Sequence, residues 1–181
     1  MRLPPGFQHV PAPDVERQAA DMTSPLDRHY VRRYYARMVI SPSFTYAHSV
    51  EADVSAAAIW KLYEDASTWP SWDAQAEWVT RDGPFEAGTT GAMKFKGQDP
   101  LAYRLAKVEP GREFVDETPV GELVVRVSHL LEPLDSGRVR ITYVVEINGP
   151  EYQAREIGPA ITSDFPHTIA SLVALAKERS R

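Results

Sequence analysis

The sequence predicts an α+β domain in which a curved antiparallel sheet of about seven strands wraps around a long C-terminal helix, with two short helices after the first strand. Three observations carry this. Strand-length segments of similar size follow one another between Gly and Pro turns, the pattern of an antiparallel meander. The chain then changes period: Ile161, Phe165, Ile169, Leu172 and Ala176 recur at three- and four-residue spacing, the stripe of an amphipathic helix. Between the first strand and the meander, Trp60, Trp69 and Trp72 fall within thirteen residues, with Pro70 between the last two. A helix cannot run through that proline, so Trp60 belongs to one short helix and Trp69 and Trp72 to a tight bend after it.

The elements follow in order. Phe44–Val50 alternates at the strand period. Asp53 is placed to cap a helix through Tyr63. After the tryptophan bend come strands over Ala74–Arg81, Thr89–Lys96, Ala102–Val108, Arg112–Thr118, Glu122–Leu131 and Arg138–Ile147. Asp82-Gly83-Pro84, Gly97-Gln98-Asp99-Pro100, Glu109-Pro110-Gly111, Pro119-Val120-Gly121 and Asp135-Ser136-Gly137 turn the chain between them. Pro166 should bend the last helix or break its first turn.

Residues 1–42 read as an N-terminal extension and 43–181 as the domain. The extension opens with an arm rich in proline and lacking an apolar period. Ser24-Pro25-Leu26-Asp27 then starts a helix to about Val39, with Tyr30, Tyr34 and Met38 on one stripe and Arg28, Arg32, Arg33 and Arg37 around it. That stripe is expected to dock on the domain's own sheet or on a second subunit, which would make the segment a homodimer contact.

Composition narrows the function. An apolar fraction of 43% supports a real core, and a net charge of −5 argues against a nucleic-acid partner. Cysteine is absent, which excludes disulfides and thiolate metal sites. No apolar run approaches the ~20 residues that span a bilayer, and the first residues lack a signal-peptide core, so a cytoplasmic location is expected. The five histidines show no metal-ligand spacing. No Gly-rich phosphate loop and no nucleophile elbow is visible, so no cofactor and no metal is expected.

Several stretches together carry a resemblance. They are Val50-Glu51-Ala52-Asp53 before Ile59-Trp60, Trp69-Pro70-Ser71-Trp72, and Gly83-Pro84-Phe85-Glu86-Ala87-Gly88-Thr89. Val108-Glu109-Pro110-Gly111-Arg112, His129-Leu130-Leu131-Glu132-Pro133 and Gly149-Pro150 continue it. From about Phe44 to Lys177 the chain resembles the helix-grip superfamily, also called SRPBCC or START-related, and within it the bacterial polyketide cyclase/dehydrase-like branch. The resemblance implies the fold already derived, but one scaffold hosts many functions.

A sheet wrapped around one helix encloses a cavity unless large side chains fill it. Binding of a hydrophobic small molecule, polyketide-, aromatic- or lipid-like, is therefore the first expectation. Strand parity and the helical stripe put Tyr46, His48, Trp78, Met93, His129, Tyr143, Phe165 and Ile169 at that cavity. His48 and His129 are either ligand or proton-transfer groups or core histidines bonded to backbone. The alternative function is a polyketide aromatase/cyclase or dehydratase-like enzyme. The resemblance implies for it an inward arginine beside a hydroxyl residue, and the candidates here are Arg104 or Arg126 with a histidine, His129, or a tyrosine. The bland reading puts both arginines on the solvent face. Asp73, Glu77 and Asp116 are read as surface acids. A third alternative is a protein-interaction module with a filled core.

Overall fold

The computed structural model describes residues 42–181. The expected arm and the Pro25–Val39 helix lie outside the described residues, so the proposed homodimer contact has no counterpart to compare. Seven strands are present: β1 (Phe44–Ala52), β2 (Ala76–Arg81), β3 (Thr90–Phe95), β4 (Leu101–Glu109), β5 (Glu113–Val120), β6 (Leu123–Pro133) and β7 (Val139–Asn148). They form one antiparallel sheet in the order β1-β7-β6-β5-β4-β3-β2. Sequential hairpins build the meander from β2 to β7, and β1 closes onto β7 from the far end of the chain. Gly111, at φ 73°, supplies the left-handed residue that the β4–β5 turn needs.

Helix α1 (Ala56–Glu64) follows β1, capped by Ser55, whose Oγ accepts from the Ala58 N–H at 3.2 Å. The cap is thus Ser55 and not Asp53, two residues later than the sequence suggests. A 3-10 turn (Ala66–Thr68) leads into α2 (Trp69–Trp72), a single turn. Pro70 sits in that first turn, where its missing N–H is no loss. The tryptophan bend is therefore a helical turn. The Trp69 Nε1–H donates to the Tyr63 carbonyl at 3.0 Å, which ties α2 back onto α1. Trp60, Trp69 and Trp72 are all buried.

The C-terminal region is two helices, α3 (Glu151–Thr162) and α4 (Phe165–Arg179). Pro159 removes a hydrogen bond near the end of α3, and Pro166 occupies the first turn of α4, so the break falls at Ser163–Asp164 between them. The expected stripe from Ile161 to Ala176 spans this break, which falls just before Pro166, and the helix begins earlier than that stripe, at Glu151. Gly158 has a packing reason: a Cβ there would come within 2.6 Å of the Phe44 ring, so only glycine lets α3 lie against β1. Ile141, Val145 and Ile147 of β7 meet Ile157, Ile161, Ile169 and Leu172 in a core with almost no solvent contact. Among the described residues no helix is long and apolar enough to cross a membrane.

Candidate functional site

A cavity of about 80 Å³ opens between the concave face of the sheet and the break between α3 and α4. Its walls come from α2, from β2, β3, β5, β6 and β7, and from the two C-terminal helices. Trp69 and Trp72 of α2, Ala76 and Val79 of β2, and Met93 and Phe95 of β3 line one side; Val125 and Val127 of β6 and Ile161 and Phe165 of the C-terminal helices line the rest. The polar lining is Asp73, Asp116, Thr118, His129, Tyr143, Asp164 and Thr168.

His129, Tyr143 and Asp116 sit where strand pairing puts them. Phe114, His129 and Tyr143 are directly opposite one another across β5, β6 and β7, so their rings fall in one row on the concave face. His129 stacks on Phe114 with centroids 4.0 Å apart and meets Tyr143 edge-on at 4.4 Å. Tyr63 reaches the same row from α1, its hydroxyl donating to the Tyr143 hydroxyl at 3.4 Å. Asp116, one parity step along β5 from Phe114, points the same way and faces His129, with Oδ1 3.6 Å from Nδ1.

That distance is too long for a direct hydrogen bond. Both groups are buried, so charging either is costly. Burial pushes the Asp116 carboxyl up from 3.8 to about 7. It pushes the His129 imidazole down from 6.5 to about 3, against a smaller opposing pull from the backbone of Phe114 and Val127. The spacing alone would admit an ion pair, but desolvation of two charges in so apolar a setting outweighs one contact at this distance. We read the pair as neutral: a protonated carboxyl beside a neutral imidazole. His129 Nδ1 and Thr118 Oγ1 are buried with no hydrogen-bond partner. Burial also raises the Asp73 carboxyl, and the nearby Asp164 adds to that rise; the Asp73 Oδ1 accepts the Gln75 N–H at 2.9 Å. The Tyr63 and Tyr143 hydroxyls are held protonated, burial raising both.

The structure sorts the expected residues. Met93, His129, Tyr143 and Phe165 line the cavity. Tyr46 borders it through Phe165, ring centroids 6.2 Å apart. Ile169 is fully buried in the core and is not among the lining residues. His48 of β1 pairs with Tyr143 of β7 and is half-buried, but it does not reach the lining. Trp78 is a correction. The β2–β3 register shifts between Ala76 and Trp78, so two residues of β2 oppose one of β3 and Trp78 turns outward, 38% exposed.

Arg104 and Arg126 are corrections too. Both lie on the outer face of the sheet, where Glu117 sits 3.0 Å from Arg104 and 3.4 Å from Arg126. Glu77 is a surface acid paired with Lys94, as its type suggests. Asp116 and Asp73 are not surface acids: both line the cavity, and Asp116 is buried. The signal for Asp116 was present in the alternation Phe114-x-Asp116-x-Thr118-x-Val120. Among the described residues no group of three or more His, Asp or Glu is placed to hold a metal ion.

A model of the family described as "Polyketide cyclase / dehydrase and lipid transport" matches residues 43–177, and the chain belongs to that family. No curated protein matches it. Among solved structures it is similar to norcoclaurine synthase from Thalictrum flavum, at 18% identity and TM-score 0.61, with 75% of this chain and 87% of that one covered. It is also similar to an aromatase/cyclase from Streptomyces sp. R1128, at 13% identity and TM-score 0.65, covering 76% and 96%. A hypothetical protein from Helicobacter pylori aligns at 17% identity and TM-score 0.65, covering 77% and 91%. At these identities the likeness is one of fold.

Proposed function

We propose that this member of the polyketide cyclase / dehydrase and lipid transport family binds a small hydrophobic molecule in the cavity between its sheet and α4. The observation that carries this is a buried space walled by tryptophan, phenylalanine and aliphatic side chains, with a few polar groups converging on it. By volume it holds on the order of half a dozen waters, the scale of a single ring. Native mass spectrometry of freshly purified protein tests for a bound molecule. Titration with benzyl alcohol, a neutral one-ring probe, followed by calorimetry, tests the cavity directly. Ala76 lines it, so Ala76→Leu fills the space and should abolish binding. Binding that survives this substitution lies elsewhere and overturns the reading.

A second reading, catalysis of the cyclase or dehydratase kind, is favoured by one observation: the neutral Asp116–His129 pair at the cavity wall. The protonated carboxyl is an acid and the neutral imidazole a base, and they differ from an ion pair by one proton moved from Oδ1 to Nδ1. Such a pair suits abstraction of a proton beside a carbonyl. Deuterium exchange at the α-carbons of cyclohexanone, followed by NMR, tests it: acceleration by the native protein and its loss in Asp116→Asn and His129→Phe is expected. No acceleration leaves the protein a binder.

A further inference from the structure

We propose that the outer face of the sheet is the docking surface for this chain's own N-terminal segment, the amphipathic helix that the sequence predicts over Pro25–Val39. The strand registers lay that face out row by row. Ala47, Val144 and Ser128 form one row across β1, β7 and β6, and Ser49, Thr142 and Leu130 form the next. All are uncharged, and the Ser49 and Thr142 hydroxyls satisfy each other at 2.7 Å. Val144 and Leu130 stand outside the core and are only half-buried. Charged rows bound this band at both ends: Glu146 and Arg126 toward the start of β1, Arg140 and Glu132 toward its end. Toward the second boundary the face dips into a groove of about 300 Å³, where Leu130, Thr142 and Val144 supply uncharged lining.

The path of the chain says what covers the band. Ser43 is bound to the end of β7, its N–H donating to the Ile147 carbonyl at 2.8 Å and its Oγ–H to the Gly149 carbonyl at 2.7 Å. On the concave side the way is closed, because α3 lies so tightly on Phe44 that a Cβ at Gly158 does not fit. The described helices all turn their buried residues into the one core on that side, and among the described residues none covers the outer face. The dimensions also match. β1, β7 and β6, about 4.8 Å apart, make a strip about 10 Å wide, the width of one helix. From Ser43 to Ser49 the strand rises about 20 Å, and a helix over Pro25–Val39 is about 22 Å long. Ile40–Pro42 reaches up to about 10 Å, enough to lift the chain off the sheet and turn it back along β1 and β7.

The chemistry of the two surfaces agrees with this. Tyr30, Tyr34 and Met38 form a stripe that is costly to leave in water, and a lone helix of this length is marginal without tertiary contacts. The band offers Val144, Leu130 and Ala47 to that stripe. Beside it the helix carries Arg28, Arg32, Arg33 and Arg37 against Asp27 alone. The chain is acidic overall, so the rest of the chain is more acidic than the whole. At the Ser43 end of the band, Arg126 turns to Glu117 and leaves Glu146 without an ion pair among the described residues. A helix laid back along β7 brings its last arginine, Arg37, to that end. The claim stands apart from the cavity, and its failure leaves the ligand reading untouched.

The test uses the absence of cysteine from the chain, which leaves an introduced pair of thiols no other partner. The full chain carrying Tyr34→Cys and Val144→Cys is treated with a short bismaleimide. Cross-linking within the chain should be at least about tenfold faster than with Tyr34→Cys and Tyr152→Cys, whose second thiol sits on the exposed side of α3. Equal rates overturn the docking surface. Cross-links formed between chains instead seat the helix on a second copy and overturn its placement on its own sheet. Limited trypsin digestion of the chain without introduced cysteines gives an independent reading. Cleavage after Arg28, Arg32, Arg33 and Arg37 should be severalfold slower than after Arg17 in the arm. Val144→Glu, on the outer face and outside the core, should remove that protection and leave cleavage within residues 43–181 unchanged. Equal cleavage at all these arginines in the native chain, or protection that survives Val144→Glu, overturns the proposal.

Discussion

Replacing Asp116 or His129 singly should expose two opposite pH dependences that cancel in the native chain. Burial raises the Asp116 carboxyl from 3.8 to about 7 and lowers the His129 imidazole from 6.5 to about 3. For a carboxyl raised on folding, the unfolded state releases its proton first. Asp116 therefore costs nothing below about 4, and its cost grows as pH rises and is complete above about 7. For an imidazole lowered on folding, the unfolded state takes a proton that the native state refuses. His129 costs nothing above about 6.5, and its cost grows as pH falls toward 3. Relative to the native chain, Asp116→Asn should gain stability as pH rises from about 4 to about 7, by ~1.4 kcal/mol per pH unit and at most about 4 kcal/mol. His129→Phe should gain at the same rate as pH falls from 6.5 toward 3. Urea unfolding of the three proteins across this range gives both profiles, and subtracting the native curve removes every other titrating group. An ion pair makes the opposite forecast, with both variants losing most where both partners would be charged. Differences that do not change with pH, or that share one sign of slope, refute the neutral pair.

Other substitutions test the remaining assignments. Gly158→Ala should lower stability by about 1–3 kcal/mol despite alanine's better helix propensity, because its Cβ meets the Phe44 ring and pushes α3 off β1; thermal melting reads it. Trp72→Ala should cost about 3–5 kcal/mol on melting and also weaken benzyl alcohol binding, since the same ring is core and cavity wall. Arg104→Ala and Arg126→Ala should each stay within about 0.5 kcal/mol of the native stability, with unchanged ligand affinity, because both guanidinium groups are on the outer face; a large loss of binding would return them to the site.

What the sequence made legible follows the reach of each physical signal. Turn chemistry and the two periodicities act over a few residues, so the seven strands and the order of elements could be read from them. Parity worked where the strands run unbroken: His129 and Tyr143 alternate with outward residues along β6 and β7, and both reach the cavity. It failed at Trp78 because a bulge adds one residue to β2, and nothing in Ala76-Glu77-Trp78 marks where register slips. The stripe from Ile161 to Ala176 and Pro166 marked the bent C-terminal helix, but the stretch Glu151–Gly158 carries no such stripe, and the gain from seating Gly158 on Phe44 is tertiary. Asp116 is the instructive miss. Its position in the alternation pointed inward, but its residue type pointed outward, and type was given more weight. Inverting that weighting locates the site: where strand parity puts a carboxylate among Phe114, Thr118 and Val120, some other requirement has overridden the cost of burial. Arg126 shows the converse. Val124 and Ser128 share its parity and face outward with it, so parity and type agree and there is no conflict to explain. In this chain the conflict between pattern and residue type, more than either alone, separates the cavity residues from the surface ones.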